Sequence, residues 1–533
     1  MMDRDAVAKF QFAGQDIPWL LDLWAKNKPD HPVLIWEPKS GQEKRWTYKE
    51  FNEEVARIAA GLHARGVKKE DKVLIHADNC PEMVLAWYAC AKLGAVGVTT
   101  NTRSVGAELE YFASHTGAVG AITQPQYAKL VQENATNVGW IVVTDDNSGE
   151  PPGADQAGHG LPGFSELTAD PATLPTRPPE PMLPAGIQFT SGTTSRPKAV
   201  VHTHANALWA SRMGPINIDM QTDDTYLIYL PFFHVNAQSW SMWTTLGVGG
   251  TIVLQPKFSA SRFWEVIQKH DVTHISLIPF VFKAVAAQPI PEHKLKVGAF
   301  GLVMPELEGW LNLRVGAFWG MTETVIHATR ADFQQTYPNG SMGKATPGYE
   351  YLVVDPDTGN ICDDGSIGEL WVRGTRGIQL FLEYYKNPEA NEKAFTEDGW
   401  FKTGDMVMLG QEGNFFYKDR DKDALKVGGE NVSAREVEDA IRQVPGIGDI
   451  AVVGRSHEML DMVPVAFVVK GMGAPEDEGE FAAQIIKHCG ENLADFKVPR
   501  AVFFVDDFPK ATLDKVAKNK LRDMAEEREM PNT

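Results

Sequence analysis

The chain contains the stretch Phe189-Thr190-Ser191-Gly192-Thr193-Thr194-Ser195-Arg196-Pro197-Lys198, in which five hydroxyl side chains surround one glycine. Hydroxyl groups and glycine backbone N–H groups donate hydrogen bonds to phosphate oxygens, and a glycine lets a ligand come close. Arg196 and Lys198 add positive charge. The stretch is therefore suited to binding a polyphosphate, although a Ser/Thr/Gly-rich segment taken alone is more often an ordinary surface loop.

This stretch differs from the common nucleotide-binding loop. That loop requires Gly-x-x-x-x-Gly-Lys-Ser/Thr, whereas no glycine directly precedes Lys198 and no hydroxyl residue follows it. The difference argues against an unrelated ATPase or kinase.

The stretch resembles the signature Thr-Ser-Gly-Thr-Thr-Gly-x-Pro-Lys-Gly of the adenylate-forming superfamily, which includes acyl-CoA synthetases, luciferases and the adenylation domains of peptide synthetases. The chain departs from it at Ser195 and Ala199, where the signature has glycine. Its Ser-Arg before Pro-Lys resembles the branch of crotonobetaine/carnitine-CoA ligases. Seven further segments resemble superfamily motifs in the expected order: Leu230–His234, Phe318–Glu323, Gly368–Gly374, Gly399–Asp405, Asp419–Asp423, Gly428–Ser433 and Pro509–Val516.

The resemblance implies that ATP, Mg²⁺ and coenzyme A bind to this chain. It implies contacts to the ATP phosphates from Thr190, Ser191, Gly192, Thr193, Thr194 and Lys198, of which Lys198 is assigned less firmly than the hydroxyl residues. Thr190 and Glu323 are candidate catalytic residues. Glu323 is also the candidate ligand of Mg²⁺, a hard cation that prefers carboxylate and phosphate oxygen. The alternative for Glu323 is a solvated acid.

Further cofactor-binding roles follow from the same resemblance. It implies that Trp319 and Thr322 contact the nucleotide, that Asp405 and Arg420 hold the ribose, that Lys422 is the interdomain hinge, and that Gly428 and Gly429 face CoA. A carboxylate accepts hydrogen bonds from both ribose hydroxyls well. Each assignment has a plainer alternative: a core tryptophan, a turn aspartate, a surface arginine or a solvated charged loop.

Lys515 is the expected catalytic cation, which in the superfamily bridges the acyl carboxylate and the α-phosphate. The residue before it is Asp514, where the superfamily motif has glycine. A neighbouring carboxylate weakens the field of the lysine, and the turn loses the freedom of glycine. Lys510 and Lys518 are nearby rivals, and a solvated lysine is the alternative for all three.

The resemblance also predicts an acyl pocket. We expect it to be lined by His234, Val235, Gln238, residues 298–304, Gly320, Met321 and His327, although plain core packing is the alternative for most of them. Acetate-using relatives carry tryptophan at the position of Gly320. We therefore expect Gly320 to leave the pocket open for an acid larger than acetate. The interval from Gly301 to Trp319 is short for the superfamily, so we expect a remodelled pocket floor.

Composition limits the possible partners. The 533 residues carry a formal net charge of −19, which argues against non-specific binding to nucleic acid and to anionic membranes. No apolar run reaches the roughly 18 residues that a membrane span needs, and the start of the chain has no apolar signal core. The four cysteines are scattered, which fits a reducing compartment. We expect a cytoplasmic protein of unknown oligomeric state.

The order of elements predicts an α/β fold. Residues 72–101 form a strand, a helix and a strand, which is a βαβ unit of a parallel sheet. Residues 148–184 are rich in Pro and Gly and predict a linker. From residue 422 onward the pattern is that of a compact α+β unit. We therefore predict a large ATP- and acyl-binding domain at residues 1–421 and a small mobile domain at residues 422–533.

The sequence thus predicts an ATP-dependent carboxylic acid–CoA ligase, which forms an acyl-adenylate and pyrophosphate and then an acyl-CoA and AMP. Its second substrate would be a small carboxylic acid that the sequence does not name. One alternative keeps the adenylation but passes the acyl group to a carrier protein or to oxygen. Another is a non-catalytic nucleotide-binding paralogue.

Overall fold

The computed structural model describes residues 4–154, 156, 160–190, 196–356, 358–420, 424–509 and 516–530. Within these ranges no helix combines the length and the apolar character that crossing a membrane requires. Several residues to which the sequence assigns roles lie outside the described ranges, and those roles stay predictions: Ser191, Gly192, Thr193, Thr194, Lys422, Lys510 and Lys515.

The predicted phosphate-binding stretch, residues 189–198, connects two neighbouring strands of a seven-stranded sheet. With strands numbered in chain order, its spatial order is β18 (Glu383–Tyr384), β8 (Lys198–Thr203), β7 (Pro184–Thr190), β4 (Val96–Thr99), β3 (Lys72–His76), β5 (Gly120–Thr123) and β6 (Ile141–Val143). Strands β3 and β4 are parallel and enclose a helix, as the βαβ prediction requires. Strands β7 and β8 are antiparallel neighbours, and the predicted phosphate-binding residues lie at the end of β7 and the start of β8 and between these two strands in the sequence.

A nine-stranded sheet forms the second layer. Its spatial order is β15 (Lys344–Ala345), β14 (Thr329–Arg330), β13 (Arg314–Trp319), β12 (Val297–Phe300), β11 (His274–Ser276), β9 (Thr225–Ile228), β10 (Thr251–Leu254), β1 (Pro32–Trp36) and β2 (Lys44–Thr47). The run from β13 to β1 is parallel. In open parallel sheets ligands bind outside the carboxyl ends of the strands, and the Trp319 motif begins in the last two residues of β13 and continues beyond its carboxyl end.

Two antiparallel sheets flank the predicted domain boundary. The first comprises β16 (Glu350–Val354), β17 (Ile367–Arg373), β19 (Trp400–Leu409) and β20 (Phe415–Arg420). The second has the order β22 (Glu430–Ser433), β21 (Ala424–Val427), β24 (Asp461–Lys470) and β23 (Ile447–His457), and β25 (Ala501–Phe504) pairs in parallel with β24. The predicted boundary falls between β20 and β21, outside the described residues, and stays a prediction.

The helices cover the sheets. Helix α4 shows why they begin and end where they do: Pro81 occupies its first turn, where no N–H is needed, and Gly94 ends it with a left-handed φ of +82°. The helices of the larger part are α1 (Arg4–Lys9), α2 (Ile17–Asn27), α3 (Tyr48–Ala64), α4 (Pro81–Leu93), α5 (Gly106–Thr116), α6 (Pro125–Asn134), α7 (His204–Ile218), α8 (Thr244–Val248), α9 (Phe263–Lys269), α10 (Pro279–Val285), α11 (Pro305–Leu311) and α12 (Pro388–Ala394).

The C-terminal sheet has its own helices and its own core. They are α13 (Ala434–Ile441), α14 (Glu478–Asn492) and α15 (Lys518–Glu527). Phe481 and Ile485 of α14 and Val437 of α13 are fully buried in a cluster with side chains of this sheet. A large α/β part followed by a small α+β part confirms the predicted fold class.

Candidate active site

One cavity of about 2030 Å³ brings most of the predicted residues together. It lies where β7, β12, β13 and β19 meet the Gly428-Gly429 turn of the C-terminal sheet. The predicted residues that line it are Thr190, Lys198, His234, Val235, Trp319, Gly320, Met321, Thr322, Glu323, His327, Asp405, Gly428 and Gly429. The predicted pocket residue Gln238 does not line it: Gln238 is buried in a π-helix (Asn236–Trp243) that forms one wall.

Glu323 lies in a short 3₁₀ turn directly after β13. Its side chain is buried, and the Tyr384 hydroxyl donates a hydrogen bond to its Oε1 atom at 2.8 Å. The ammonium group of Lys198 lies 4.7 Å from the centre of the Tyr384 ring. Among the described residues, no lysine or arginine lies within ion-pair distance of Glu323. A buried carboxylate at a cavity wall with a neutral phenol as partner fits a divalent cation, because buried charges are otherwise paired.

Asp405 and Trp319 contact each other across the cavity wall. The indole N–H of Trp319 donates a hydrogen bond to Asp405 Oδ2 at 3.1 Å, and Asp405 is only 5% exposed. Gly404 takes a left-handed φ of +76°, and its N–H donates to Glu369 at 2.8 Å. Arg420 pairs with Asp405 in the register of β19 and β20. The aromatic ring and the carboxylate predicted to hold adenine and ribose are therefore neighbours.

In the acyl wall, Gly320 lies beside the indole of Trp240. A Cβ atom built on Gly320 would lie 2.9 Å from Cζ2 of Trp240 and 3.0 Å from the carbonyl oxygen of Ile326. The indole of Trp240 therefore already occupies the space that a Cβ atom of Gly320 would enter. Gly320 still lines the cavity, and its role in admitting an acid larger than acetate stays a prediction. The remaining wall of this region comes from the ends of β12 and β13, with Gly301 and Leu302 from the predicted segment 298–304.

His234 and Glu430 join the two parts of the chain. His234 Nε2 lies 3.1 Å from Glu430 Oε2. Burial lowers the pKa of His234, but the adjacent Glu430 carboxylate outweighs burial and raises it above its usual value. Burial raises the pKa of Glu430, and His234 with Arg103 and Lys497 brings it below its usual value. The two groups therefore favour the charged state of each other.

A second and more deeply buried contact involves Lys497. Its ammonium group lies 2.5 Å from Glu108 Oε1 and 2.9 Å from Glu436 Oε1. All three side chains are buried. Glu108 belongs to α5 of the large part, whereas Glu436 and Lys497 belong to the small part. We call these three residues the interdomain triad. Burial lowers the pKa of Lys497, and the two carboxylates outweigh burial and raise it.

The sequence profile of the AMP-binding enzyme family matches residues 21–385, and that of the AMP-binding enzyme C-terminal domain matches residues 436–515. The chain belongs to the AMP-binding enzyme family. Crotonobetaine/carnitine–CoA ligase of Escherichia coli O9:H4 (strain HS) is 34% identical to it over 526 residues, which cover 96% of this chain and 99% of the relative. The resemblance to this superfamily and branch is thereby confirmed.

Solved structures of the AMP-binding family show the same architecture. A double mutant of o-succinylbenzoate CoA synthetase from Bacillus subtilis, bound with its product analogue OSB-NCoA, matches with a TM-score of 0.79 at 26% identity, covering 96% of this chain and 98% of the other. The same synthetase in complex with ATP and magnesium ion matches with a TM-score of 0.66 at 26% identity, covering 95% and 99%. The chain is an enzyme of the acid–CoA ligase class, which joins a carboxylic acid to CoA through an acyl-adenylate with the use of ATP.

Sequence reasoning missed four features of this candidate active site. Glu430 was within reach, because it directly follows the predicted Gly428-Gly429 turn. Trp240 lies six residues after His234, on a helix whose bounds the sequence did not predict. Tyr384 and the interdomain triad carry no local signal. Lys497 and Glu108, for example, are 389 residues apart in the chain.

Proposed function

We propose that this enzyme converts a carboxylic acid, ATP and CoA into an acyl-CoA, AMP and pyrophosphate in two half-reactions within the one cavity. The observation that carries the proposal is the convergence of three groups on that cavity. Glu323 supplies a buried carboxylate, Trp319 and Asp405 form a hydrogen-bonded pair at the cavity wall, and the Gly428-Gly429 turn lines the cavity from the C-terminal part.

In the first half-reaction an oxygen of the acid attacks the α-phosphorus of ATP in line, and pyrophosphate leaves. Such a step depends mostly on positioning and on charge stabilisation. We assign Thr190 to Thr194 and Lys198 to the phosphates, Trp319 to adenine, and Asp405 with Arg420 to the ribose. Glu323 would hold Mg²⁺, which supplies charge neutralisation when it is bound. Lys515 is our candidate for the cation between carboxylate and α-phosphate.

In the second half-reaction the CoA thiol attacks the acyl carbon, and AMP leaves. We propose that the described arrangement of the two parts is the one used for this step. Its support is the higher TM-score with the synthetase that holds the CoA product analogue than with the same synthetase holding ATP and magnesium ion, 0.79 against 0.66. The Gly428-Gly429 turn at the cavity would leave room for the thiol arm of CoA, and Lys422 would be the hinge.

The His234–Glu430 pair links this arrangement to pH. Because the pKa of His234 is raised, its contribution is complete below the unpaired value and is lost as pH rises through the raised value. Because the pKa of Glu430 is lowered, its contribution is present above the unpaired carboxyl value and is lost as pH falls through the lowered value. We call the described arrangement of the two parts the docked arrangement. The pair should therefore stabilise it most at pH values above the pKa of Glu430 and below the pKa of His234.

The proposal is tested by incubating the protein with ATP, Mg²⁺, CoA and a panel of acids while measuring pyrophosphate and thioester. The panel includes crotonobetaine and carnitine, because the 34% identical relatives carry those names, and acids both shorter and longer than four carbons. Acid-dependent pyrophosphate release with stoichiometric acyl-CoA supports the proposal. Pyrophosphate release without a thioester would favour a carrier protein or oxygen as acceptor. No acid-dependent release would favour the non-catalytic paralogue. Location in the cytoplasm stays a prediction.

A further inference from the structure

Trp240 occupies an unusual place in the acyl wall. It lies on the π-helix that follows the His234 loop, and its indole is partly exposed to the cavity. The ring atom Cζ2 lies 2.9 Å from the position of a Cβ atom on Gly320. A side chain at position 320 and the indole of Trp240 therefore compete for one space. Gly320 is the residue that leaves this space to Trp240.

A buried imidazole lies against the same indole. The ring centres of Trp240 and His327 are 4.7 Å apart, and Phe318 packs on His327 at the same distance. His327 lines the cavity but is only 1% exposed, and neither ring nitrogen has a hydrogen-bond partner among the described residues. Burial lowers the pKa of His327 to about 3, so the ring is neutral at pH 7 and offers one donor and one acceptor.

We propose that the indole of Trp240 sets the depth of the acyl pocket and separates the bound acid from a polar extension at His327. This inference rests on the proposed function, since it concerns the acid of that reaction. The preferred acid ends at the indole. Removal of the indole lengthens the pocket and uncovers a group that prefers an uncharged hydroxyl or carbonyl at the far end of the acyl chain.

The chain length of the acid that the enzyme prefers should depend strongly on the residue at position 240. Burying one methylene group favours binding by about fourfold, so an enlarged pocket raises kcat/KM by roughly that factor for each additional methylene that it encloses. The preference for a polar or an apolar end of the acyl chain should depend on position 240 as well. A buried nitrogen without a partner is costly, so an acid whose terminal oxygen reaches His327 gains over the plain alkyl acid of equal length.

The test compares Trp240→Ala, Trp240→Phe and the unmodified enzyme on straight-chain acids of two to twelve carbons and on their ω-hydroxy and ω-oxo counterparts. We expect Trp240→Ala to move the best chain length upward by two or more carbons, with Trp240→Phe in between. We expect the alanine variant to prefer the oxygen-bearing acid over the alkyl acid by at least tenfold, and His327→Leu added to it to remove that preference. Trp310→Ala is the matched control, because Trp310 lies on α11 and does not line the cavity.

The outcomes separate this inference from the proposed function. If the unmodified enzyme forms no acyl-CoA from any acid of the panel, the proposed function fails at that point. If the unmodified enzyme is active and both Trp240 variants keep its ranking of chain lengths, the proposed role of Trp240 is overturned. If the lengths shift but hydroxyl, carbonyl and alkyl acids remain equal, the polar extension at His327 is overturned. Should the alanine variant fail to fold, the phenylalanine variant decides the question of length.

Discussion

Replacing Lys497 with methionine should slow thioester formation and leave adenylate formation nearly unchanged. In the described arrangement the Lys497 ammonium group is buried between Glu108 of the large part and Glu436 of the small part. Methionine has a similar length but no charge. In this variant the buried carboxylates of Glu108 and Glu436 would lie together without a cation between them. This occurs only in the docked arrangement, because the two residues belong to different parts of the chain.

The size of the effect follows from the burial of the triad. Removing one partner of a buried ion pair typically costs about 3–5 kcal/mol. Part of that cost falls equally on the docked arrangement and on the arrangement used for adenylate formation, because Lys497 and Glu436 belong to the same part of the chain. We therefore take the lower end of the range. Since 1.4 kcal/mol corresponds to tenfold, the docked arrangement should lose roughly 100-fold in population.

The assay measures the two half-reactions separately: pyrophosphate release from acid and ATP, and acyl-CoA formation from a preformed acyl-adenylate. Lys487→Met is the matched control, because Lys487 is a lysine of α14 whose side chain is 79% exposed. Adding Glu108→Gln to Lys497→Met should restore part of the thioester rate, since it removes the repulsion. Equal losses in both half-reactions, no loss in either, or no rescue by Glu108→Gln would refute the reasoning.

Three further predictions concern single residues. Glu323→Gln should slow pyrophosphate release by roughly 10²–10³, and an unchanged rate at saturating Mg²⁺ would show that this carboxylate does not hold the metal. In the unmodified enzyme, deprotonation of His234 at high pH ends its ion pair with Glu430 and weakens the docked arrangement. Glu430→Gln should remove this pH dependence of thioester formation. A pH profile equal to that of the unmodified enzyme would contradict the pairing. Lys515→Ala should reduce adenylation by a similar 10²–10³. Lys510→Ala and Lys518→Ala serve as controls, and damage from either would shift the assignment; Lys518 already donates to a glutamate of α13 at 2.7 Å.

The sequence predicted the parts of the fold that carry strong local signals. The unit at residues 72–101 was predicted correctly because its strands are continuous apolar runs and Pro81 marks the start of the helix between them. The stretch from Met304 to Gly365 yielded no elements, although the structure has α11 and β13 there. These elements have only seven and six residues, which is too short for a clear period.

The site divides in the same way. Residues inside contiguous motifs, such as Glu323 and Asp405, could be predicted to lie at one site because each motif is a local stretch: a turn after β13 for Glu323 and the middle of β19 for Asp405. Their roles stay predictions. Contacts between distant segments were not found, because the partner of Lys497 in α5 depends on how the two parts dock. The contact of Trp240 with Gly320 was missed for the same reason. A glycine indicates free space only when no other segment fills it, and the indole of Trp240 arrives from a helix about 80 residues earlier in the chain.

The central claim is that the acid becomes an acyl-adenylate before it meets CoA. Its most direct test uses an acid labelled with ¹⁸O in the carboxylate, converted with ATP, Mg²⁺ and CoA, followed by mass spectrometry of the nucleotide product. Attack on the α-phosphorus and displacement by the thiol predict one ¹⁸O atom in the phosphate of AMP. Unlabelled AMP, or label in inorganic phosphate together with ADP, would contradict the account.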